Sequence, residues 1–154
     1  MGNHFRFKLG ILTVCLVCLL GSQINPALAQ GISEVKLEVN APFSTAAVII
    51  NHQGQIGYSA NSPKTGIDKL SDASVITQDQ FRELDNLINE NNFFLLEEKY
   101  IEDGLEDATT YTVTVKKSGQ AKTVSCYGRC PEQINKIIAK IKELWGKEIL
   151  TVGV

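Results

Sequence analysis

The chain has 154 residues, 44% of them hydrophobic, and carries 15 basic and 17 acidic side chains for a formal charge of −2. This balance, without any cluster of lysine and arginine, argues against a nucleic-acid partner, because binding to phosphates needs a basic surface. The length is enough for one domain with its own core.

The N-terminus has the pattern of a secretory signal peptide. Arg6 and Lys8 precede an apolar run at residues 9–21, and Ala27-Leu28-Ala29 is the small-x-small pattern that signal peptidase cleaves after. We predict cleavage between Ala29 and Gln30. Residues 1–29 are then the signal peptide, and residues 30–154 form a single exported domain. Loss of the two basic residues and no acid would leave a net charge of −4.

Export predicts a periplasmic or extracellular location and no membrane attachment after cleavage. Two alternatives stay open, an uncleaved membrane anchor and a lipid-modified cysteine. Against the second, neither Cys15 nor Cys18 follows the small residue that a lipobox requires. Both cysteines leave with the signal peptide, so the exported chain keeps only Cys126 and Cys130.

The first half of the domain has the alternation of a β-hairpin. "EVKLEV" from Glu34 alternates polar and apolar residues, and Pro42 interrupts this strand. "STAAVIIN" continues as a more buried strand, and "HQGQ" turns the chain into "IGYSA". The composition of Asn61–Ser74 predicts a loop.

A helix follows, with a capping box formed by Thr77 and Gln80. Its apolar stripe consists of Phe81, Leu84, Leu87 and Ile88. The "FFLL" run after it is too short for a helix, and we expect it to be tucked under the sheet.

The second half predicts another hairpin and a final helix. Thr109–Lys117 alternates as a strand, Ser118-Gly119 forms a tight turn, and "QAKTVSCY" returns as the partner strand. Pro131 suits the first position of a helix. The apolar stripe of this helix comprises Ile134, Ile137, Ile138, Ile141, Leu144 and Trp145.

These elements predict an α+β fold. We expect an antiparallel sheet of about four to five strands with two amphipathic helices packed on one face.

Cys126 and Cys130 have three interpretations: a structural disulfide, a redox dithiol or half of a zinc site. An oxidising compartment favours pairing. Residues four apart in a strand lie about 13 Å apart, beyond disulfide reach. A disulfide therefore predicts that the last strand ends near Ser125. A redox pair usually has two intervening residues, and a zinc site needs about four ligands.

Other candidates for chemistry are sparse. His52 is the only histidine left after cleavage, and it falls in a predicted turn. A spatial triad that includes His52 stays open, although no nucleophile-elbow glycine pattern surrounds a serine. We predict no catalytic residue, no metal site and no cofactor.

"EEKYIEDGLED" contains six acids among eleven residues. The six lack the alternating oxygen spacing of an EF-hand loop, although calcium ligation is one possible use of such residues. A solvated loop is one interpretation. The other is a partner-binding loop formed by Glu102, Asp103, Glu106 and Asp107.

"ITQDQFRELDNLINENNFFLLEEKY" and "DATTYTVTVKKSGQAKTV", followed by a proline-led helix, resemble a group of small bacterial domains. The group includes the emfourins, which are protein inhibitors of thermolysin-like metalloproteases, and a family of exported domains of unknown function. "HQGQIGY" is similar to a hairpin of the second family. The resemblance covers roughly residues 35–144, implies a shared fold, and assigns no inhibitory residue.

We therefore expect an exported, non-enzymatic binding domain with a protein partner. The resemblance suggests an extracellular protease as that partner and inhibition as the role. The alternative is a small thiol-redox or hydrolytic enzyme that uses Cys126 and Cys130, or His52.

Overall fold

A computed structural model describes residues 31–61, 69–70, 74–147 and 149. The predicted signal peptide and its cleavage site lie outside these residues. Within the described part, two α-helices, one short 3-10 helix and eight strands form. The strands are β1 Ile32–Ala41, β2 Ser44–Asn51, β3 Gln55–Asn61, β4 Lys69–Leu70, β5 Ser74–Val75, β6 Lys99–Ile101, β7 Thr110–Lys117 and β8 Gln120–Tyr127. The helices are α1 Gln78–Glu90, the 3-10 helix Phe93–Leu95 and α2 Glu132–Trp145.

The α+β class is confirmed, but the predicted sheet was too small and its strand directions were wrong in one place. The strands lie in the order β4-β3-β2-β1-β7-β8-β6, and β5 also pairs with β3. All pairs are antiparallel except β6 with β8, which is parallel. The described part therefore holds a mixed sheet seven strands wide. The prediction failed because the three added strands have only two or three residues each.

One face of the sheet forms the core. Val35, Leu37 and Val39 of β1 align across the sheet with Ile50, Val48 and Ala46 of β2, and all six are buried. The opposite face carries polar side chains such as Lys36 and Thr114, and Lys36 forms an ion pair with Glu38 at 2.9 Å. Since the buried residues of both helices join a single apolar cluster with the first face, both helices cover that face.

Helix α1 begins with the predicted capping box. The Gln80 amide donates to Thr77 Oγ1 at 3.2 Å, and the Thr77 amide donates to Gln80 Oε1 at 2.9 Å. These two bonds satisfy backbone donors that lack partners within the helix. Phe81, Leu84 and Ile88 bury the predicted stripe, while Leu87 is only partly buried.

Helix α2 begins one residue later than predicted. Pro131 has an extended ψ of 156° and is the N-cap residue, so the first helical residue is Glu132. All six residues of the predicted stripe are buried. Lys140 Nζ lies 2.9 Å from Glu83 Oε2 and joins the two helices. Neither helix of the described part is long and apolar enough to cross a membrane.

Two connecting segments differ from the predictions. The predicted loop Asn61–Ser74 contributes β4 and the first residue of β5, while residues 62–68 and 71–73 lie outside the described part. The "FFLL" run buries Phe93 as expected, but Leu95 is exposed. After this run, "KYI" forms β6, a strand that was not predicted.

Candidate functional site

The segment after β6 forms the most distinctive surface of the described chain. Residues 102–109 run from the end of β6 to the start of β7 and pass over the end of β8, which lies between these two strands. We call this segment the acidic loop. It contains all four of the carboxylates predicted to bind a partner.

Tyr127, the last residue of β8, anchors the acidic loop. Its hydroxyl donates to the Leu105 carbonyl oxygen at 3.1 Å and accepts from the Ala108 amide at 3.2 Å. The Tyr127 carbonyl oxygen accepts from the Glu102 amide at 3.1 Å. Because one aromatic residue bonds to both halves of the loop, the loop is held against the end of the sheet.

Gly128 lets the loop approach β8 closely. It has a φ of +79°, a conformation that L side chains rarely adopt. A Cβ at this position would clash with Leu105 Cδ1 and would lie 3.2 Å from Glu102 Cβ. The absence of a side chain at Gly128 is therefore part of how the loop packs.

Cys126 and Cys130, which flank Tyr127 and Gly128 in the sequence, lie at disulfide distance from each other. Their Cα atoms are 5.3 Å apart, within the usual range for a disulfide, and both residues are buried. The expectation that β8 ends near Ser125 was wrong. Strand β8 continues to Tyr127, and the chain reverses within Gly128 and Arg129 to bring Cys130 back toward Cys126.

The four carboxylates of the acidic loop form a negatively charged surface. Glu102, Asp103, Glu106 and Asp107 are all exposed, and none forms an ion pair with another described residue. They lie beside two exposed apolar side chains, Ile101 at 67% and Leu105 at 40% exposure. The loop therefore combines uncompensated negative charge with apolar contact area.

A further apolar residue lies at the same end of the sheet. Phe43, in the turn between β1 and β2, is 70% exposed. The register pairs Asn40 with Thr110 and Thr110 with Tyr127, so the β1–β2 turn and the acidic loop lie at one end. Exposed aromatic side chains and apolar patches are typical of protein interaction surfaces.

His52 lies far from this end. It is exposed in the β2–β3 turn and lines a depression of about 680 Å³ together with Ser33 and Arg82. Ser33 Oγ donates to the Lys116 carbonyl oxygen at 3.2 Å instead of to His52. Arg82 forms an ion pair with Asp79 at 3.0 Å.

The strand register separates His52 from the two cysteines. Cys126 aligns through Tyr111 with Val39 of β1, whereas His52 follows the residue that aligns with Glu34. Five strand residues separate these levels, which is about 17 Å at roughly 3.3 Å per residue. The candidate groups of the enzymatic alternative thus lie at opposite ends of the sheet.

The described residues contain no group of three or more His, Cys, Asp or Glu side chains that could hold a metal ion. In particular, the four loop carboxylates do not converge on a common point in that way. Their chemistry in this structure is that of separate surface charges.

Comparison with known proteins identifies the family of this chain. Residues 45–145 match the family described as "Domain of unknown function (DUF6438)". The chain belongs to this family. The match covers most of the sheet, both helices and the acidic loop of this DUF6438 chain. No curated protein matches the sequence.

The family match agrees with one half of the predicted resemblance, the family of domains of unknown function. The likeness to emfourins stays a prediction, because the DUF6438 match carries no information about protease inhibition. Export of the chain also stays a prediction, since it rests on the N-terminal pattern, which lies outside the described residues.

The loop carboxylates and the cysteine pair were predicted from the sequence, but the residues that position them were not. Tyr127 was assigned only to a strand, and β6 was not predicted. The aromatic and β-branched residues Tyr100 and Ile101 were a signal for a strand. Three residues are too few to distinguish a strand from a loop by periodicity.

Proposed function

We propose that this DUF6438 chain is an exported, non-enzymatic domain that binds a protein partner through the acidic loop. The observation that carries the proposal is the combination at the loop of four exposed, unpaired carboxylates with exposed Ile101 and Leu105. A partner with a basic surface and an apolar contact would complement both properties.

The attachment of the loop supports a binding role. Three hydrogen bonds to Tyr127 and the close approach at Gly128 hold the loop in place before a partner arrives. A surface that is already ordered loses less conformational entropy on binding than a flexible one. Loops on a rigid scaffold are common binding elements.

The buried cysteine pair favours a structural role over redox chemistry. Reactive cysteines are usually partly exposed and lie in an electropositive environment, whereas Cys126 is fully buried and Cys130 is 7% exposed. A disulfide between them would also agree with an oxidising compartment outside the cytoplasm.

The first test is site-specific photocrosslinking in the cell that makes the protein. A photoreactive side chain at Leu105 should crosslink to one discrete protein, and the same side chain at Glu90 on α1 should not. The captured protein is then purified, and its affinity is measured at several salt concentrations. Binding should weaken as salt rises, because exposed charges are screened. Equal crosslinking from both positions would contradict the proposal.

A matched pair of variants tests the role of the charges. D103N/E106Q removes two loop carboxylates, and D79N/E90Q removes two from α1. Since exposed charge pairs contribute about 0.2–1 kcal/mol each, the loss of two pairs should weaken binding of the captured partner to the loop variant about twofold to thirtyfold. The α1 variant should bind normally. Equal binding by both variants would remove the loop from the interface.

A thermolysin-like metalloprotease is the first purified partner to test, because the resemblance to emfourins predicts it. Stoichiometric inhibition that D103N/E106Q weakens would assign the inhibitory role. Unchanged progress curves at excess protein would exclude that role and leave binding to the captured partner as the function.

A further inference from the structure

The outer edge of β6 is open in the described structure. Strand β6 is last in the sheet order and pairs on one side with β8. No described residue pairs with its other side. An open edge offers backbone donors and acceptors to an additional strand.

The hydrogen-bond pattern shows which residues face outward. The Ser125 amide donates to the Glu98 carbonyl oxygen at 2.9 Å, and the Glu102 amide donates to the Tyr127 carbonyl oxygen at 3.1 Å. Backbone groups of successive residues point to opposite sides of a strand, so those of residues 98, 100 and 102 all face β8. The amide and carbonyl groups of Lys99 and Ile101 therefore point away from the sheet.

Charge argues against a second copy of this chain at the edge. Residues 97–107 contain six carboxylates and one lysine. Pairing two such edges would bring like charges together, a device by which proteins prevent edge-to-edge aggregation. The same charges would attract a strand that carries basic side chains.

The carboxylates at the two ends of β6 set the distance at which a partner strand would place two basic side chains. Glu98 and Glu102 flank β6 and are four residues apart, about 13 Å at roughly 3.3 Å per residue. Glu98 lies 3.7 Å from Lys122 but is 77% exposed, so its second oxygen remains open to a partner. The Ile101 side chain lies on the opposite face of the sheet from those of Glu98 and Glu102, because side chains alternate along a strand, and it is 67% exposed.

From these features we infer that β6 accepts an extended segment of the partner protein as a further strand. The segment carries two basic side chains four positions apart, which lie against Glu98 and Glu102 on one face of the sheet, and between them in sequence an apolar side chain that packs on Ile101 on the other face. This inference rests on the proposed binding function and specifies how the partner is recognised. Main-chain hydrogen bonds to Lys99 and Ile101 supply affinity, and the side chains supply selectivity.

The experiment uses the purified protein and three synthetic peptides. The first has two lysines four positions apart with valine and threonine between them. The second has the same residues with a central proline, which removes a backbone donor and disfavours strand pairing. The third places the two lysines next to each other. We expect the first peptide to bind about tenfold more tightly than either of the others.

Amide hydrogen exchange of the wild-type protein gives a direct readout. On binding of the first peptide, the amides of Lys99 and Ile101 should become at least about tenfold slower to exchange, because a hydrogen-bonded amide exchanges only on opening. The amides of Tyr100 and Glu102 already face β8 and should change little. Unchanged exchange at Lys99 and Ile101 in a saturated complex would overturn the inference.

Two variants at Ile101 distinguish binding at the β6 edge from binding by the acidic loop. Ile101→Pro removes the outward donor while leaving the bonds to β8 in place, and Ile101→Val keeps that donor. The first should lose binding of the peptide at least about tenfold, and the second should retain it. Should all three peptides bind equally while D103N/E106Q still weakens the captured partner, strand addition is wrong and the acidic-loop function stands. Loss of both effects would overturn the two proposals together.

Discussion

At the scale of single residues, Gly128 decides how closely the acidic loop approaches β8. Two features coincide there, a φ of +79° and the side chain of Leu105 in the space that a Cβ would occupy. Gly119, in the β7–β8 turn, shares the first feature with a φ of +77°, but no atom lies within 4 Å of its would-be Cβ. A comparison of substitutions at these two glycines therefore distinguishes the cost of backbone strain from the cost of disturbed loop packing.

We predict that Gly128→Ala lowers the free energy of unfolding more than Gly119→Ala does. Both variants place a side chain in the left-handed region, which costs about 1–2 kcal/mol. Only Gly128→Ala also displaces Leu105, for which we expect about 1 kcal/mol more, within the range for overpacking. Urea denaturation of both variants measures the difference. Equal losses of unfolding free energy in the two variants would mean that the packing of Leu105 against Gly128 adds no measurable stability.

At the scale of elements, Cys126 near the end of β8 and Cys130 just before α2 lie at disulfide distance. The Asn135 side chain adds a second link, since its Nδ2 donates to the Cys130 carbonyl oxygen at 3.0 Å. The turn between strand and helix is thus held from both sides. A covalent bond at this place constrains the unfolded chain, and the stabilisation depends on the length of the closed loop.

Reduction of the pair should therefore have a small and defined effect. For a loop of five residues, the chain-entropy relation gives about 2 kcal/mol. We expect dithiothreitol to lower the free energy of unfolding of the wild-type protein by that amount, measured in urea. The variant C126A/C130A should not respond to dithiothreitol. If the wild-type protein catalyses thiol–disulfide exchange and C126A/C130A does not, the redox alternative is favoured instead.

At the scale of the whole molecule, the two helices are tied to each other and to the sheet by groups that titrate at alkaline pH. Hydrogen bonds from Lys140 to Glu143 and to Glu83 raise the pKa of the Lys140 ammonium. Burial raises the pKa of the Tyr58 phenol, whose hydroxyl donates to the Ile149 carbonyl oxygen at 2.7 Å. The ring of Tyr58 stacks on Trp145 at 5.0 Å.

Both shifts predict loss of stability at high pH. A group whose pKa is higher in the folded state contributes stability that is complete below its unfolded pKa and is lost as pH rises through the folded one. The unfolded values are about 10 for tyrosine and about 10.4 for lysine. The free energy of unfolding should thus fall above about pH 10. Y58F and K140M should each flatten this decline, and slopes equal to that of the wild type would contradict the assignment.

The sequence by itself was sufficient for the elements whose signals are local. The capping box at Thr77, the stripe of α2 and the hairpin turn at Ser118-Gly119 each depend on residues a few positions apart. The proximity of Cys126 and Cys130 and the acidity of residues 102–107 could likewise be predicted from spacing and composition.

Only the tertiary structure decided how these parts are arranged. The parallel pairing of β6 with β8, the anchoring of the acidic loop by Tyr127 and the separation of His52 from the cysteines all involve residues distant in sequence. Such contacts form when the whole chain packs one apolar face against two helices, and a short strand such as β6 takes its conformation from its neighbour. Its three residues carry too little periodicity to specify a strand, but hydrogen bonds to β8 determine their conformation.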